Sequence, residues 1–554
     1  MTKLTILPSR TIIEMKEGET VKEALERRGY LAPTSCNNRK LCGHCRVWVQ
    51  APERYPATPH RLITPEQARN GMRLSCRIQP DEDLSIRLTH DFLSETEPSR
   101  GRSVPAGSAT PVQVRAGLSL DLGTTTLVAS LIDLKSGRRI AQASLLNPQI
   151  RYGQDAMTRI DMGSSRKGLE ELARAVHAGI RKLVMRLCHE TGLEPGDIRD
   201  AVIGGNTTML QLCAGIDPSP LGQAPFDVDI EGGRCYSAKT LGIQINPKAR
   251  VYIPPIIHAF VGSDISSGLV KCDGFFKDGV STLFIDVGTN GEVGLSHDGN
   301  MLATSAAAGP AFEGSGISCG MLALPGAITD VHCEDGDIEF QTIEDRDPIG
   351  ICASGIVHLT AALLEVGVLD HSGLMCEPEE GDHLAPPVRE RLMELEPDLM
   401  AFRIADGVYF TQDDVRQVQL AKSAIRTAID QMLASQKLTS VDELVIAGAF
   451  GSHLDADRLE AIGMIPLNLF KTVTFAGNTS RKGCEQLLHR SELRSRLESR
   501  IERVDYLSLA ESPEFMDRYV ANMEFPKVDV RSRMDSARSS GVVARPAVET
   551  SRSR

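Results

Sequence analysis

Four cysteines near the N-terminus are spaced for chemistry: Cys36, five residues, Cys42, two residues, Cys45, then thirty residues to Cys76. Thiolates are soft ligands that suit iron–sulfur clusters or zinc. Here one tight loop offers three sulfurs and a distant segment offers the fourth, the arrangement that holds two irons as a [2Fe–2S] cluster. The loop from Thr34 to Cys45 is mostly small and polar, so its amides are free to face sulfur, and Gly43 allows close approach. Structural zinc usually takes two Cys-x2-Cys knuckles, or one knuckle with a spaced His pair, and only one knuckle is present. His44, between two of the cysteines, reads as a solvent-facing neighbour.

A second chemistry lies further along. The run Leu118-Ser-Leu-Asp121-Leu-Gly123-Thr124-Thr125-Thr126 is a strand ending in Asp, then Gly, then three hydroxyl residues. In such a hairpin the turn's N–H groups and Thr hydroxyls point at phosphate oxygens, and Asp121 holds Mg²⁺ through water. Alone this is a weak signal, because many turns look alike. The device recurs as Phe284-Ile-Asp286-Val-Gly288-Thr289-Asn290-Gly291-Glu292. Two such hairpins facing each other would clamp the β- and γ-phosphates. A strand and Gly-rich turn then follow, Leu444-Val-Ile-Ala447-Gly448-Ala449-Phe450-Gly451-Ser452, able to lie flat against adenine and ribose. No Gly-x4-Gly-Lys-Ser/Thr motif occurs, so this is not a P-loop protein.

The positioning elements follow from pattern. Lys3–Leu7 and Thr11–Met15 read as strands, and Thr20 with Glu23 forms a capping box for a helix that stops at Gly29. Cys45–Val49 and Leu84–Leu88 continue that unit as strands. From Ser94 to Val114 the composition turns to Ser, Pro, Gly and Thr, a linker. Beyond it, strands at Leu118–Asp121, Leu127–Leu134 and Ala201–Asn206 alternate with an amphipathic helix near Gly168–Glu190. A second round has strands at Leu283–Asp286, Gly291–Leu295 and Glu443–Ile446 and a helix around Val415–Leu433. Two lobes with one opening device imply a diverged internal duplication.

A chain of 554 residues exceeds one core. The expected units are 1–92, cluster domain; 93–115, linker; 116–270 and 271–525, the two lobes; and 526–554, a disordered basic tail. That tail carries seven basic residues against three acidic ones. The net charge of −12 excludes general nucleic-acid binding. No apolar run is long enough for a bilayer span, and no signal peptide opens the chain, so a cytoplasmic location without membrane contact is expected. The nine remaining cysteines are scattered and read as small buried hydrophobes.

The order of two phosphate hairpins and a Gly-rich adenosine turn resembles the acetate and sugar kinase, heat-shock cognate and actin superfamily, a two-lobed, ribonuclease H-like α/β fold. The first unit resembles a β-grasp ferredoxin of the vertebrate type. Joined, the α+β ferredoxin and α/β ATPase resemble the reductive activators of corrinoid proteins over nearly the whole chain. Several segments carry that likeness, among them Asn147-Pro-Gln-Ile-Arg-Tyr-Gly153, Gly205-Asn206-Thr-Thr-Met209, Ala307-Ala-Gly309-Pro-Ala-Phe-Glu313-Gly314 and Gly448-Ala-Phe-Gly451-Ser-His453.

The resemblance implies an ATP site with Asp121, Asp286, Glu292 and Glu313 as its catalytic acids. Its binding residues would be Gly123, Thr124, Thr125, Thr126, Asn206, Gly288, Thr289, Asn290, Gly309, Gly448, Ala449, Gly451, Ser452 and Asn478. Asn206 and Asn478 are equally readable as turn residues with positive φ. The implied activity is ATP-dependent one-electron reduction of Co(II) to Co(I) in a corrinoid protein of a methyltransferase system. The implied cofactors are a [2Fe–2S] cluster, ATP and Mg²⁺, with an upstream electron donor and a homodimer among the possible partners. Alternatives are an ATP-driven donor to another low-potential enzyme, a small-molecule kinase with a redox-sensing domain, and an inert scaffold. The chain departs from longer members, which carry a further folded segment after the linker, and from those with extra C-terminal cysteines.

Overall fold

The computed structural model describes residues 2–8, 10–28, 30–31, 45–56, 63, 65–89, 93–94, 115–153, 155–334, 336–448 and 454–527. Cys36, Cys42, His44, Ala449, Gly451 and Ser452, most of the linker and nearly all of the basic tail lie outside the described residues.

Near the N-terminus a five-stranded mixed sheet runs in the order Thr11–Glu14, Lys3–Leu7, Leu84–Leu88, Arg46–Val49, Met72–Leu74. Lys3–Leu7 pairs with Leu84–Leu88 in parallel, and every other neighbour is antiparallel. The helix Val21–Arg27 opens on the expected capping box: the amide of Glu23 donates to Thr20 Oγ1 at 3.2 Å, and that of Thr20 to Glu23 Oε2 at 2.8 Å. Leu4, Ile6 and Ile13 from the sheet meet Val21 and Leu25 of the helix in a closed apolar core. Trp48 sits on Arg46–Val49, opposite Met72 on one side and Arg87 on the other.

The two larger sheets repeat one topology. In the first, Arg139–Leu146, Thr126–Asp133 and Ala116–Leu122 form an antiparallel meander, continued in parallel by Asp200–Gly205 and Arg250–Ile253. In the second, Asn300–Ala306, Gly291–His297 and Thr282–Val287 form the meander, continued by Val441–Gly448 and Phe470–Gly477. The duplication expected from the hairpins is present in strand order. Helix Arg166–Thr191 covers the first sheet with Leu172, Val176, Ile180, Leu183 and Leu187, a stripe at helical spacing. Helix Gln412–Ser435 does the same for the second, with Val415, Val418, Ile425 and Ile429.

Two helices cross between the lobes. Ser263–Leu269 and Thr479–His489 approach so closely that a Cβ on Gly483 would sit 1.7 Å from the Ser267 carbonyl oxygen. The rings of His258 and Tyr506 stack at 3.7 Å, one from a loop of the first lobe and one from an edge strand of the second. Six of the nine scattered cysteines are buried, as expected of small apolar side chains, and Cys235, Cys333 and Cys376 are half-buried. Among the described residues no helix is long and apolar enough to cross a membrane.

Candidate functional site: two opposed phosphate hairpins

Asp121 lies near the end of Ala116–Leu122, where the strand delivers it to the interlobe cleft. Its Oδ2 accepts from Asn478 Nδ2 at 2.7 Å and its Oδ1 from Ser480 Oγ at 2.7 Å. Asn478 is not a positive-φ turn residue: with φ −69° it is the N-cap of Thr479–His489, its Oδ1 accepting from the Arg481 amide at 2.7 Å. Asn206 is corrected the same way. At φ −66° it caps Thr207–Ala214 through the Met209 amide, and its Nδ2 donates to Thr124 Oγ1 at 2.8 Å. Each asparagine thus spends one end on a helix and the other on a hairpin.

The turn itself is anchored from behind. The Gly123 amide donates to the Thr126 carbonyl at 3.1 Å, closing the hairpin. The Gly123 carbonyl accepts from Asn147 Nδ2 at 2.9 Å, and the Thr125 carbonyl accepts from the Asn147 amide at 2.8 Å. The Thr124 carbonyl accepts from Arg159 Nη2 at 2.7 Å. Neither Asn147 nor Arg159 stands out as a ligand in the sequence; Asn147 was visible only as part of a longer segment.

The second hairpin mirrors the first. Its turn closes through the Gly288 amide to the Asn290 carbonyl at 3.0 Å. Asp286 and Glu292 stand directly opposite each other across the antiparallel pair, so their side chains share one face. Gly448, at the end of the parallel neighbour, has φ 112°, and a Cβ there would lie 2.2 Å from the Val287 carbonyl oxygen. Only glycine lets that strand turn beside the hairpin.

Glu313 joins the two devices. It ends the short turn Pro310–Glu313, which Gly309 enters at φ 76°. Its Oε2 accepts from Thr125 Oγ1 at 2.9 Å and its Oε1 from Thr289 Oγ1 at 3.1 Å. One carboxylate therefore receives a hydroxyl from each hairpin.

The cleft is crowded with acid. Burial, reinforced by Asp264, Asp121 and Glu313, pushes the Asp286 carboxyl up to about 8. Burial and then Asp121 raise Asp264 to about 7. Burial, with Asp264 and Asp286, holds Glu292 well above the usual carboxylate range. Burial raises Asp121 and Glu313 too, against the hydrogen bonds that favour their ionised forms. Asp264, in the first turn of Ser263–Leu269, was missed in the sequence, although an acid opening a helix after glycine is a readable signal. Such a set lacks positive charge and fits a cation bound with polyphosphate. Among the described residues no three acids converge to chelate a bare metal ion.

A second site begins in the N-terminal sheet. Cys45 precedes Arg46–Val49, and Cys76 lies in the turn Ser75–Arg77, whose first amide donates to the Cys45 carbonyl at 2.8 Å. Both are buried, and hydrogen bonding from Cys76 draws the Cys45 thiol down to about 6. Two of the four predicted ligands therefore meet.

The paired sheets, crossing helices and opposed hairpins define a two-lobed ATPase fold of the actin and sugar-kinase class. The chain matches the family described as the C-terminal ASKHA domain of RACo over residues 280–536 and the RACo middle region over 116–274. It belongs to the RACo family, the reductive activators of corrinoid proteins. The middle-region match falls on the first lobe. It is 33% identical over 421 residues to the corrinoid activation enzyme RamQ of Eubacterium limosum, covering 74% of this chain and 70% of RamQ. It is 26% identical over 447 residues to a [Co(II) methylated amine-specific corrinoid protein] reductase of Methanosarcina barkeri, covering 74% and 77% of the two chains. A solved reductive activator for corrinoid, iron-sulfur protein superposes with a TM-score of 0.68 at 27% identity, covering 96% of this chain and 99% of the other.

Proposed function

We propose that this protein uses ATP to drive one-electron reduction of Co(II) to Co(I) in a corrinoid protein, restoring methyltransferase cofactors that have oxidised. One observation carries the reading: a chain of this family pairs two opposed phosphate hairpins, bridged by Glu313, with a buried Cys45–Cys76 pair near its N-terminus.

Residues 1–92 are read as the ferredoxin-like unit, 116–270 and 271–525 as the ATPase lobes, and the whole as cytoplasmic. The helix-covered mixed sheet and its central parallel pair support a β-grasp reading. Cys45 and Cys76 fit a cluster because they are soft donors, adjacent and shielded from water. With Cys36 and Cys42 they would hold a [2Fe–2S] group, which supplies a one-electron carrier near about −400 mV when bound. Co(I) in a corrinoid is a stronger reductant than that. Each ~59 mV of mismatch is a tenfold equilibrium penalty for one electron, so the transfer needs help.

ATP supplies it only by binding one lobe arrangement better than the other. Glu313 is placed to sense that difference, because its two hydroxyl partners come from different lobes. Asp264 and Asp286, crowded together by burial, are placed to orient an attacking water as the β–γ phosphoanhydride breaks. The test is anaerobic: mix the reduced protein with a Co(II) corrinoid protein and follow Co(I) absorbance with and without ATP. ATP-dependent appearance of Co(I) is expected; none, or formation indifferent to ATP, would overturn the reading.

A further inference from the structure

Arg159 is among the largest fully buried side chains of the protein, at 0% exposure, on the short helix Ala156–Gly163. Its guanidinium is surrounded by neutral acceptors. Nε donates to the Gly153 carbonyl at 2.8 Å and Nη2 to the Thr124 carbonyl at 2.7 Å, while Nη1 faces Met209 Sδ at 3.0 Å and Gln149 Oε1 at 3.4 Å. Among the described residues no carboxylate is within ion-pair distance of it. Asp155 has the one carboxylate whose charge acts on it appreciably, and its oxygens are taken by the Thr158 amide and hydroxyl, both at 2.8 Å.

A buried cation without a paired anion is costly, and proteins retain one where something else supplies the negative charge. The missing anion has an evident place. Arg159 stands behind the first hairpin, and three successive carbonyls of that hairpin, Gly123, Thr124 and Thr125, are all bound from the Arg159 and Asn147 side. Fixing a peptide's oxygen to one side fixes the following N–H on the other. The amides of Thr124, Thr125 and Thr126 follow these carbonyls; Thr126 opens the strand Thr126–Asp133, and the other two residues belong to the turn. A concave run of oriented amides is an anion cradle.

We propose that Arg159 is a positioning residue for the nucleotide's polyphosphate: through the Thr124 carbonyl it presets the amides of the first hairpin, and its buried charge is balanced by the phosphates when they arrive. The proposal rests on the ATP-site reading above. It assigns to lobe I a buried source of positive charge for the acidic cleft, which otherwise feels Arg481 from helix Thr479–His489, and it makes the Asn147–Gly153 segment a support for the hairpin.

The test uses the full-length, cluster-containing protein and calorimetric titration with MgATP, tripolyphosphate and adenosine. Arg159→Met is expected to weaken MgATP and tripolyphosphate by at least about tenfold, the scale of a lost charge-assisted contact, while adenosine binds within about twofold of wild type. Arg159→Lys keeps the charge on a single nitrogen and should recover part of that affinity, raising KM more than it lowers kcat. Equal losses for adenosine and MgATP, or wild-type MgATP affinity in the Met variant, would overturn the proposal. If the Met variant does not fold, Arg159→Lys decides: unchanged tripolyphosphate affinity refutes the role. Wild-type protein that binds neither MgATP nor tripolyphosphate would instead overturn the ATP-site reading itself.

Discussion

The hydroxyl of Thr125 donates to Glu313 across 2.9 Å, and this bond ties the first phosphate hairpin to a turn of the opposite lobe. Glu313 holds Thr289 in the same way, so removing its charge disturbs both hairpins at once. Glu313→Gln keeps the volume but offers one acceptor oxygen in place of two. Hydrogen bonds to charged groups are worth about 1.5–3 kcal/mol, so ATP turnover should fall at least about tenfold. Steady-state phosphate release measures it, and unchanged turnover would reduce Glu313 to a packing role.

Asp286 should carry the ATP dependence without touching the cluster. Replacing it by Asn removes a buried acid that several neighbours oppose. Electrostatic groups at a phosphoryl-transfer centre are typically worth about 10²–10³ in rate, so Asp286→Asn should abolish ATP-driven Co(I) formation. The visible absorbance of the cluster should be unchanged, because Asp286 belongs to the second large sheet, while Cys45 and Cys76 flank strands of the N-terminal sheet.

The same acids set a pH dependence for the nucleotide-free protein. Their folded proton affinities are raised, Asp286 to about 8 and Asp264 to about 7, above the ordinary Asp range near about 4. Between those limits the folded state holds protons that the unfolded chain releases. Their contribution to stability is therefore fully present below about pH 4 and is lost as pH rises through 7 and 8. Differential scanning calorimetry from pH 6 to 9 should show Tm falling, with a shallower slope in Asp286→Asn and in wild type with MgADP.

Asn478 has two duties that two substitutions separate. Asn478→Ala loses the cap, at a cost of about 1 kcal/mol, and releases Asp121. Asn478→Asp keeps the cap but sets a carboxylate against Asp121. Urea unfolding should find both variants less stable than wild type, the Asp variant through its buried carboxylate pair with Asp121, while both lose ATP turnover.

Cys45→Ser should lose the cluster by iron content and visible absorbance while retaining basal ATP hydrolysis. Cys376→Ser, a half-buried cysteine in another part of the chain, should keep both.

The sequence made local devices readable and distant ones obscure. Asp121 and Asp286 were legible because strand end, glycine and hydroxyl residues fall within a few positions, and the Thr20–Glu23 capping box is equally local. Asp264 and Arg159 reach the site through tertiary packing, from short helices far along the chain from the hairpins they serve. Asn206 and Asn478 were seen but half misread: asparagine suits both left-handed turns and helix caps, and only the following backbone decides. The third strand of each meander, Arg139–Leu146 and Asn300–Ala306, was missed because neither alternates apolar and polar residues regularly: adjacent pairs such as Ile140-Ala141, Leu145-Leu146 and Met301-Leu302 break the period of two.

Trp48 is the only tryptophan in the chain, and it stands in the strand that begins beside Cys45. Excited selectively, the protein will therefore fluoresce from its N-terminal sheet alone, and a cluster held by Cys45 and Cys76 would quench that light by energy transfer. The ATPase lobes are dark at that wavelength. Cluster loading can thus be followed optically in the intact chain, free of background from the lobes that bind nucleotide.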